Sequence, residues 1–182
     1  MSRVPYVSRE KLPAPQQQFY DRIAAPRGGR APKVFELFLN SPEMAARIGD
    51  VGAYARFQSL VPGDAREIAV LTTAREMGCQ YEFTHHVPLA RKEGVREPVI
   101  EGIKAGNTRG LLPKESVFID YARQVLSNRV NDATFQAIEH LLGRKGAVEM
   151  TMLVGYYSMI AHVMIALGVE LEEGVAPLLP AG

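Results

Sequence analysis

The sequence predicts an all-α protein, on three observations. Helix start and stop signals punctuate most of the chain, apolar residues recur at three- and four-residue spacing, and alternating strand patterns are nearly absent. A length of 182 residues suffices for one domain, or one domain with extensions, and for a real buried core.

The elements follow in order. "APQQQFYDRIAA" (14–25) reads as a first helix, ended by the two glycines of "PRGGRAP". "PKVFELFLN" forms a short helix. "NSPEMAARIGDVGAYARFQ" offers Ser41 as N-cap and Pro42 at the first helical position, with Met44, Ala45, Ile48 and Val51 as its apolar stripe. "PGDAREIAVLTTAREM" opens on Asp64 as a cap, with Glu67 three residues later at capping-box spacing. After Gly78, "CQYEFTHHVPLARKEG" continues as helix to a stop at Gly94, with Pro88 inside it. "REPVIEGIKAG" stops at Gly106. "KESVFIDYARQVLSNR" places Phe118, Tyr121, Ala122 and Val125 on one side, and "NDATFQAIEHLLG" is capped by Asn131 or Asp132. A long apolar helix then runs to Gly168, and "VELEEGVAPLLPAG" reads as an extended tail.

Composition narrows the function classes. The net charge is +1 and there is no large basic field, which argues against nucleic acid as a partner. One cysteine excludes an intrachain disulfide framework. The N-terminus carries no apolar run of signal-peptide length, so a cytoplasmic protein is expected. "MTMLVGYYSMIAHVMIALG" (150–168) has the length of a membrane span, but with Thr151, Ser158 and His162 in it the segment reads as a core helix, and no membrane partner is expected.

The chemistry concentrates in "CQYEFTHH" (79–86), which starts with the single cysteine and ends with two histidines. On a helix, Cys79, Glu82 and His86 share a stripe, while Tyr81 and His85 lie on another side. The i, i+4 spacing lets the Glu82 carboxylate meet the His86 imidazole. On the preceding helix Glu67 shares a face with Val70, Leu71 and Ala74, an expensive place for a carboxylate unless it is paired or protonated. Gly78 either interrupts the helix pattern or allows close packing; if the two helices form a hairpin about it, that face comes towards Cys79, Glu82 and His86 as a buried acid–base cluster. Plainer readings stand beside it. Glu82 and His86 can be a solvent-side pair, Glu67 a capping acid, Cys79 a small buried hydrophobe, and Tyr156, Tyr157 and His162 packing. No metal site is expected, because "H-E-x-x-H" is absent and adjacent histidines diverge by about 100°.

These same residues resemble a family. "DAREIAVLTTAREMGCQYEFTHHVPLARKEGV" is similar to the core motif of the carboxymuconolactone decarboxylase family, within the AhpD-like superfamily, over roughly residues 34–126. The resemblance implies an AhpD-like helical bundle assembling as homo-trimers or hexamers. It also implies residues 1–33 as an N-terminal helical extension and 34–182 as the family domain, with core motif 64–95. In the superfamily's alkylhydroperoxidase branch a C-x-x-C pair works with a downstream histidine and an upstream glutamate. Cys79, His86 and Glu67 match three of those positions, but Glu82 stands where the second cysteine belongs and Tyr81 where an additional histidine does. An intramotif thiol–disulfide cycle therefore cannot run. The decarboxylase branch resembles "E-x-x-x-H", matched by Glu82 and His86.

The expected function is a cofactor-independent decarboxylase, or related acid–base enzyme, acting on a small carboxylated lactone or aromatic-degradation intermediate. His86 is expected to donate the proton, Glu82 to orient it and Glu67 to relay protons. Arg66 is expected to hold a substrate carboxylate, with Tyr81 and His85 as further substrate-binding candidates. The alternatives are a peroxidase using Cys79, resolved by an external thiol, and a non-catalytic helical ligand-binding oligomer.

Overall fold

In the computed structural model, which describes residues 1–180, regular structure is helical and no strand occurs among the described residues. The all-α prediction holds. The helices are α1 (Gln17–Ala24), α2 (Lys33–Phe38), α3 (Pro42–Phe57), α4 (Gly63–Glu76), α5 (Gln80–Lys92), α6 (Glu97–Ala105), α7 (Pro113–Leu126) and α8 (Asp132–Leu167). They form two compact units, one of Met1–Gln58 with Met164–Glu170, the other of Ser59–Val163 with the described residues from Leu171 onward.

In the first unit α3 packs on α1 and α2. The expected stripe is rotated: Met44 and Val51 are exposed, while Ala45, Ala46, Gly49 and Ala53 are buried. Small residues win this face because the helices approach closely. A β-carbon at Gly49 would lie 3.1 Å from Ile23 Cγ1.

In the second unit α4 is the central helix, in contact with α5, α6 and α7. It is apolar on most of its circumference, with Ala65, Ile68, Ala69, Val70, Leu71 and Ala74 all buried, as expected of a core helix. The capping expectation is corrected here. Pro62 occupies the N-cap position, α4 begins at Gly63, and Asp64 Oδ1 accepts only from its neighbour, the Ala65 N–H, at 2.8 Å. Glu67, freed from capping, points elsewhere.

The α4–α5 turn is set by backbone chemistry. Cys79 N–H donates to the Ala74 carbonyl at 2.8 Å and Gly78 N–H to the Arg75 carbonyl at 3.1 Å. These are the paired bonds of a Schellman stop, and they require a left-handed residue. Gly78 supplies it at φ +64°. Cys79 then falls at the N-cap of α5 rather than inside the helix. Gly94 ends α5 by the same device, with Val95 N–H on the Ala90 carbonyl at 2.9 Å.

Asn131 caps α8, its side chain accepting from Thr134 N–H at 2.9 Å. Within the run Gly143 takes φ 70°, ψ 168°, a conformation essentially restricted to glycine, and breaks the helix there. Beyond it Ala147, Met150, Val154, Tyr157 and Ala161 are buried, while Val148, Met152 and Met159 are exposed. By length and composition alone α8 is long and apolar enough to cross a membrane. The tail after Gly168 carries no helix, and residues 181 and 182 of the expected extended tail lie outside the described residues.

Candidate active site

The hairpin about Gly78 lays α5 against α4 and brings Glu67, Glu82 and His86 together. His86 Nδ1 lies 2.6 Å from Glu67 Oε2, and His86 Nε2 lies 2.9 Å from Glu82 Oε1. All three are buried, at 1%, 7% and 5% exposure for Glu67, Glu82 and His86. Glu82 reaches its partner within α5 by the i, i+4 relation, and Glu67 reaches it across the helix pair.

Each ring nitrogen of His86 thus faces a carboxylate oxygen. A neutral imidazole carries one N–H and one lone pair, and the lone pair would oppose an acceptor. The imidazolium satisfies both. Burial on its own pushes the ring toward the neutral form, but the bonds to Glu67 and Glu82 and their charges outweigh it, raising the pKa from 6.5 to about 9. Burial likewise pushes Glu67 up, and the hydrogen bond and charge of His86, with Arg66 behind them, bring it below the ordinary glutamate value. Glu67 therefore sits ionised on an apolar helix because it is paired at both oxygens. Arg66 Nε donates to its second oxygen at 3.1 Å, and Arg66 Nη2 pairs with Glu93 at 3.1 Å. The guanidinium expected to hold a substrate carboxylate is already spanned by two protein carboxylates.

Cys79 is buried and free. Its N-cap position turns the backbone N–H groups of Glu82 and Tyr81 toward the sulfur, yet burial dominates and pushes the thiol up to about 12. The Glu82 charge adds to that rise.

Tyr81 and His85 lie apart from the cluster, on the other side of α5. Their rings stack at 4.1 Å, and both meet Glu172 of the tail. Three contributors carried no usable sequence signal. Tyr157 of α8 sets its ring edge-to-face with His86 at 5.3 Å between centroids. Glu93 holds Arg66, and Glu172 joins from about ninety positions away in the chain. Each is fixed by helix packing or by the path of the tail, which residue spacing does not encode. Among the described residues, no group of three or more histidine, cysteine or acidic side chains is arranged to hold a metal ion.

No protein-family model matches the sequence, and no curated protein is significantly similar to it. The fold, by contrast, is similar to a crystal structure described as the alkylhydroperoxidase AhpD core, an uncharacterized peroxidase-related protein from Ralstonia eutropha JMP134. The match has a TM-score of 0.76 at 20% identity, covering 97% of this chain and 98% of that one. At that identity the likeness is one of architecture: the chain has the AhpD-core helical fold.

Proposed function

We propose that this protein is a cofactor-independent proton-transfer enzyme, acting on a small carbonyl compound such as a carboxylated lactone. One observation carries the reading: a buried imidazole ring held between two carboxylates, Glu67 on Nδ1 and Glu82 on Nε2. Glu67 is anchored by Arg66 on its far oxygen, so its part is to hold the ring and its charge. The Nε2 side, with Glu82 in the first turn of α5, is where a proton leaves or arrives.

In a decarboxylation the bond between the substrate carbon and its carboxylate breaks, and the electron pair stays behind as an enolate. Carbon dioxide departs, and the carbon takes a proton from His86 Nε2, directly or through Glu82. Solvent then reprotonates the imidazole. The homo-oligomer implied by the family resemblance belongs to the same proposal, with the exposed Val148, Met152 and Met159 face of α8 as its contact. Met152→Lys is then expected to lower the sedimentation coefficient to that of a monomer. A wild-type protein that already sediments as a monomer removes this part.

A second reading has support of its own. The similar AhpD-core structure is described as peroxidase-related, and Cys79 is a cysteine at a helix N-terminus. In that chemistry the thiolate attacks the O–O bond, an alcohol leaves, and an external thiol reduces the sulfenic acid. A thiol held near 12 is almost wholly protonated at pH 7, which weighs against it.

The two readings separate on one panel of enolisable lactones, β-keto acids and organic peroxides in deuterium oxide. Cys79→Ser is expected to retain deuterium incorporation or carbon dioxide release, and His86→Gln to lose it. Peroxide consumption that vanishes in Cys79→Ser, with no carbon-acid turnover in wild type, reverses the assignment.

A further inference from the structure

Helix α5 carries a second polar face that the proposed chemistry leaves unused. Gln80, Tyr81, Thr84 and His85 stand at i, i+1, i+4 and i+5, turned away from Glu82 and His86, and all meet the C-terminal tail. The Tyr81 hydroxyl donates to Glu172 Oε1 at 3.1 Å, and His85 Nε2 lies 2.8 Å from Glu172 Oε2. The latter is a close polar contact rather than a well-directed hydrogen bond. His85 Nδ1 lies 2.9 Å from the Tyr81 carbonyl. Further along, Leu178 N–H donates to Thr84 Oγ1 at 3.2 Å. With its amide oxygen turned to the tail, Gln80 accepts from Leu178 and Leu179 N–H at 2.7 and 2.9 Å and donates to the Leu179 carbonyl at 3.1 Å.

These anchors fall where α5 supports itself least. The first four N–H groups of any helix lack intrahelical partners, and here the N-cap residue, Cys79, offers the Tyr81 and Glu82 N–H groups only a thiol sulfur, a weak acceptor, in place of a capping oxygen. Pro88 has no N–H to give the Thr84 carbonyl four residues back, so the ladder is interrupted one turn further on. The stretch between those two defects holds Glu82 and His86. It is also the stretch that the tail grips. Glu172 stays ionised there: burial raises it, but its own backbone N–H, the nearby His85 and the Tyr81 hydroxyl bring it below the ordinary value.

We propose that the segment from Leu171 to Leu179 is a strap holding the first two turns of α5 in place, with Glu172 a positioning residue for Glu82 and His86. Its functional meaning rests on the proton-transfer reading of His86, but the contacts and their test do not. No turnover is needed to read the outcome.

The experiment compares wild type with Glu172→Ala, Glu172→Gln and Tyr81→Phe by amide hydrogen exchange and by NMR titration of the His86 ring. In Glu172→Ala, exchange over residues 80–86 is expected to rise about tenfold. The His86 midpoint is expected to fall from its elevated value, while α4 and α7 exchange as in wild type. Glu172→Gln, which still accepts from Tyr81, restores part of both, and Tyr81→Phe reproduces part of the loss without touching Glu172. Wild-type exchange and an unmoved His86 midpoint in Glu172→Ala overturn the proposal. So does a rise spread equally over α4, α5 and α7, which marks a general loss of stability. Either result leaves the proton-transfer reading standing, since that reading is tested by turnover alone.

Discussion

Glu67→Ala is expected to lower the free energy of unfolding at pH 7 by about 3–5 kcal/mol, the cost of breaking a buried ion pair from one side. The truncation removes the partner at 2.6 Å from His86 Nδ1 and the acceptor for Arg66 Nε together. What remains is a ring buried to 5% exposure with one carboxylate instead of two, beside a guanidinium that keeps only Glu93. Glu67→Gln is the informative control. It fills the same volume and can still accept a hydrogen bond from Nδ1, so it forfeits the charge but not the contact, and about 1–3 kcal/mol is expected. Urea unfolding curves for the three proteins at one pH measure both differences. A Glu67→Ala loss within about 0.5 kcal/mol, the level of an ordinary surface substitution, would mean that the pair is not a buried anchor of the fold.

The second large effect is on the pH dependence of stability. His86 has a folded pKa of about 9 against an ordinary 6.5, so the folded state holds its proton more tightly than the unfolded chain. The resulting stabilisation is fully present below about pH 6.5 and disappears as pH rises through about 9. Its size is on the order of 3 kcal/mol, taking roughly 1.4 kcal/mol per unit. Glu67 acts in the opposite direction. Its folded pKa lies below the ordinary glutamate value, so its contribution is present above that value and is lost as pH falls through the depressed one. The cluster is therefore most stabilising in mildly acidic to neutral solution. Urea unfolding between pH 5.5 and 9.5 should show wild type losing stability above pH 7 while His86→Gln stays nearly level across that range. Parallel profiles for the two proteins would sink the assignment of the imidazolium.

The two effects are linked. The charge that makes Glu67 expensive to remove is also what favours the protonated imidazole at neutral pH. Both effects therefore fade together as the solution turns alkaline and the ring loses its proton.

How far the sequence could be read depended on the range of the interaction concerned. Glu82 and His86 are four residues apart, and any helix through them brings carboxylate to imidazole. That pair was legible from spacing. Glu67 was legible as a carboxylate on an apolar stripe that a hairpin would carry towards Glu82 and His86, but its capping-box spacing offered an equally good local solution. The capping alternative failed once the helix began at Gly63 rather than after Asp64. Cys79 was read as part of a helical stripe, whereas the Schellman stop at Gly78 makes it the residue before the helix. The Met44 and Val51 stripe failed for a related reason. Large apolar residues mark a core face only when the neighbouring helix stands far enough away, and α3 instead offers its partners alanine and glycine.

Sequence alone determined the all-helical class and the i, i+4 relation of Glu82 and His86, since each depends on bonds between residues a few positions apart, while at Gly78 it left open whether the helix stops or packs closely. Tertiary structure alone decided that Glu67 closes the other side of the ring, that Arg66 is occupied by Glu93, and that Glu172 returns to grip α5. Those contacts join residues separated by nineteen to ninety-one positions, and only the packing of whole helices sets such distances.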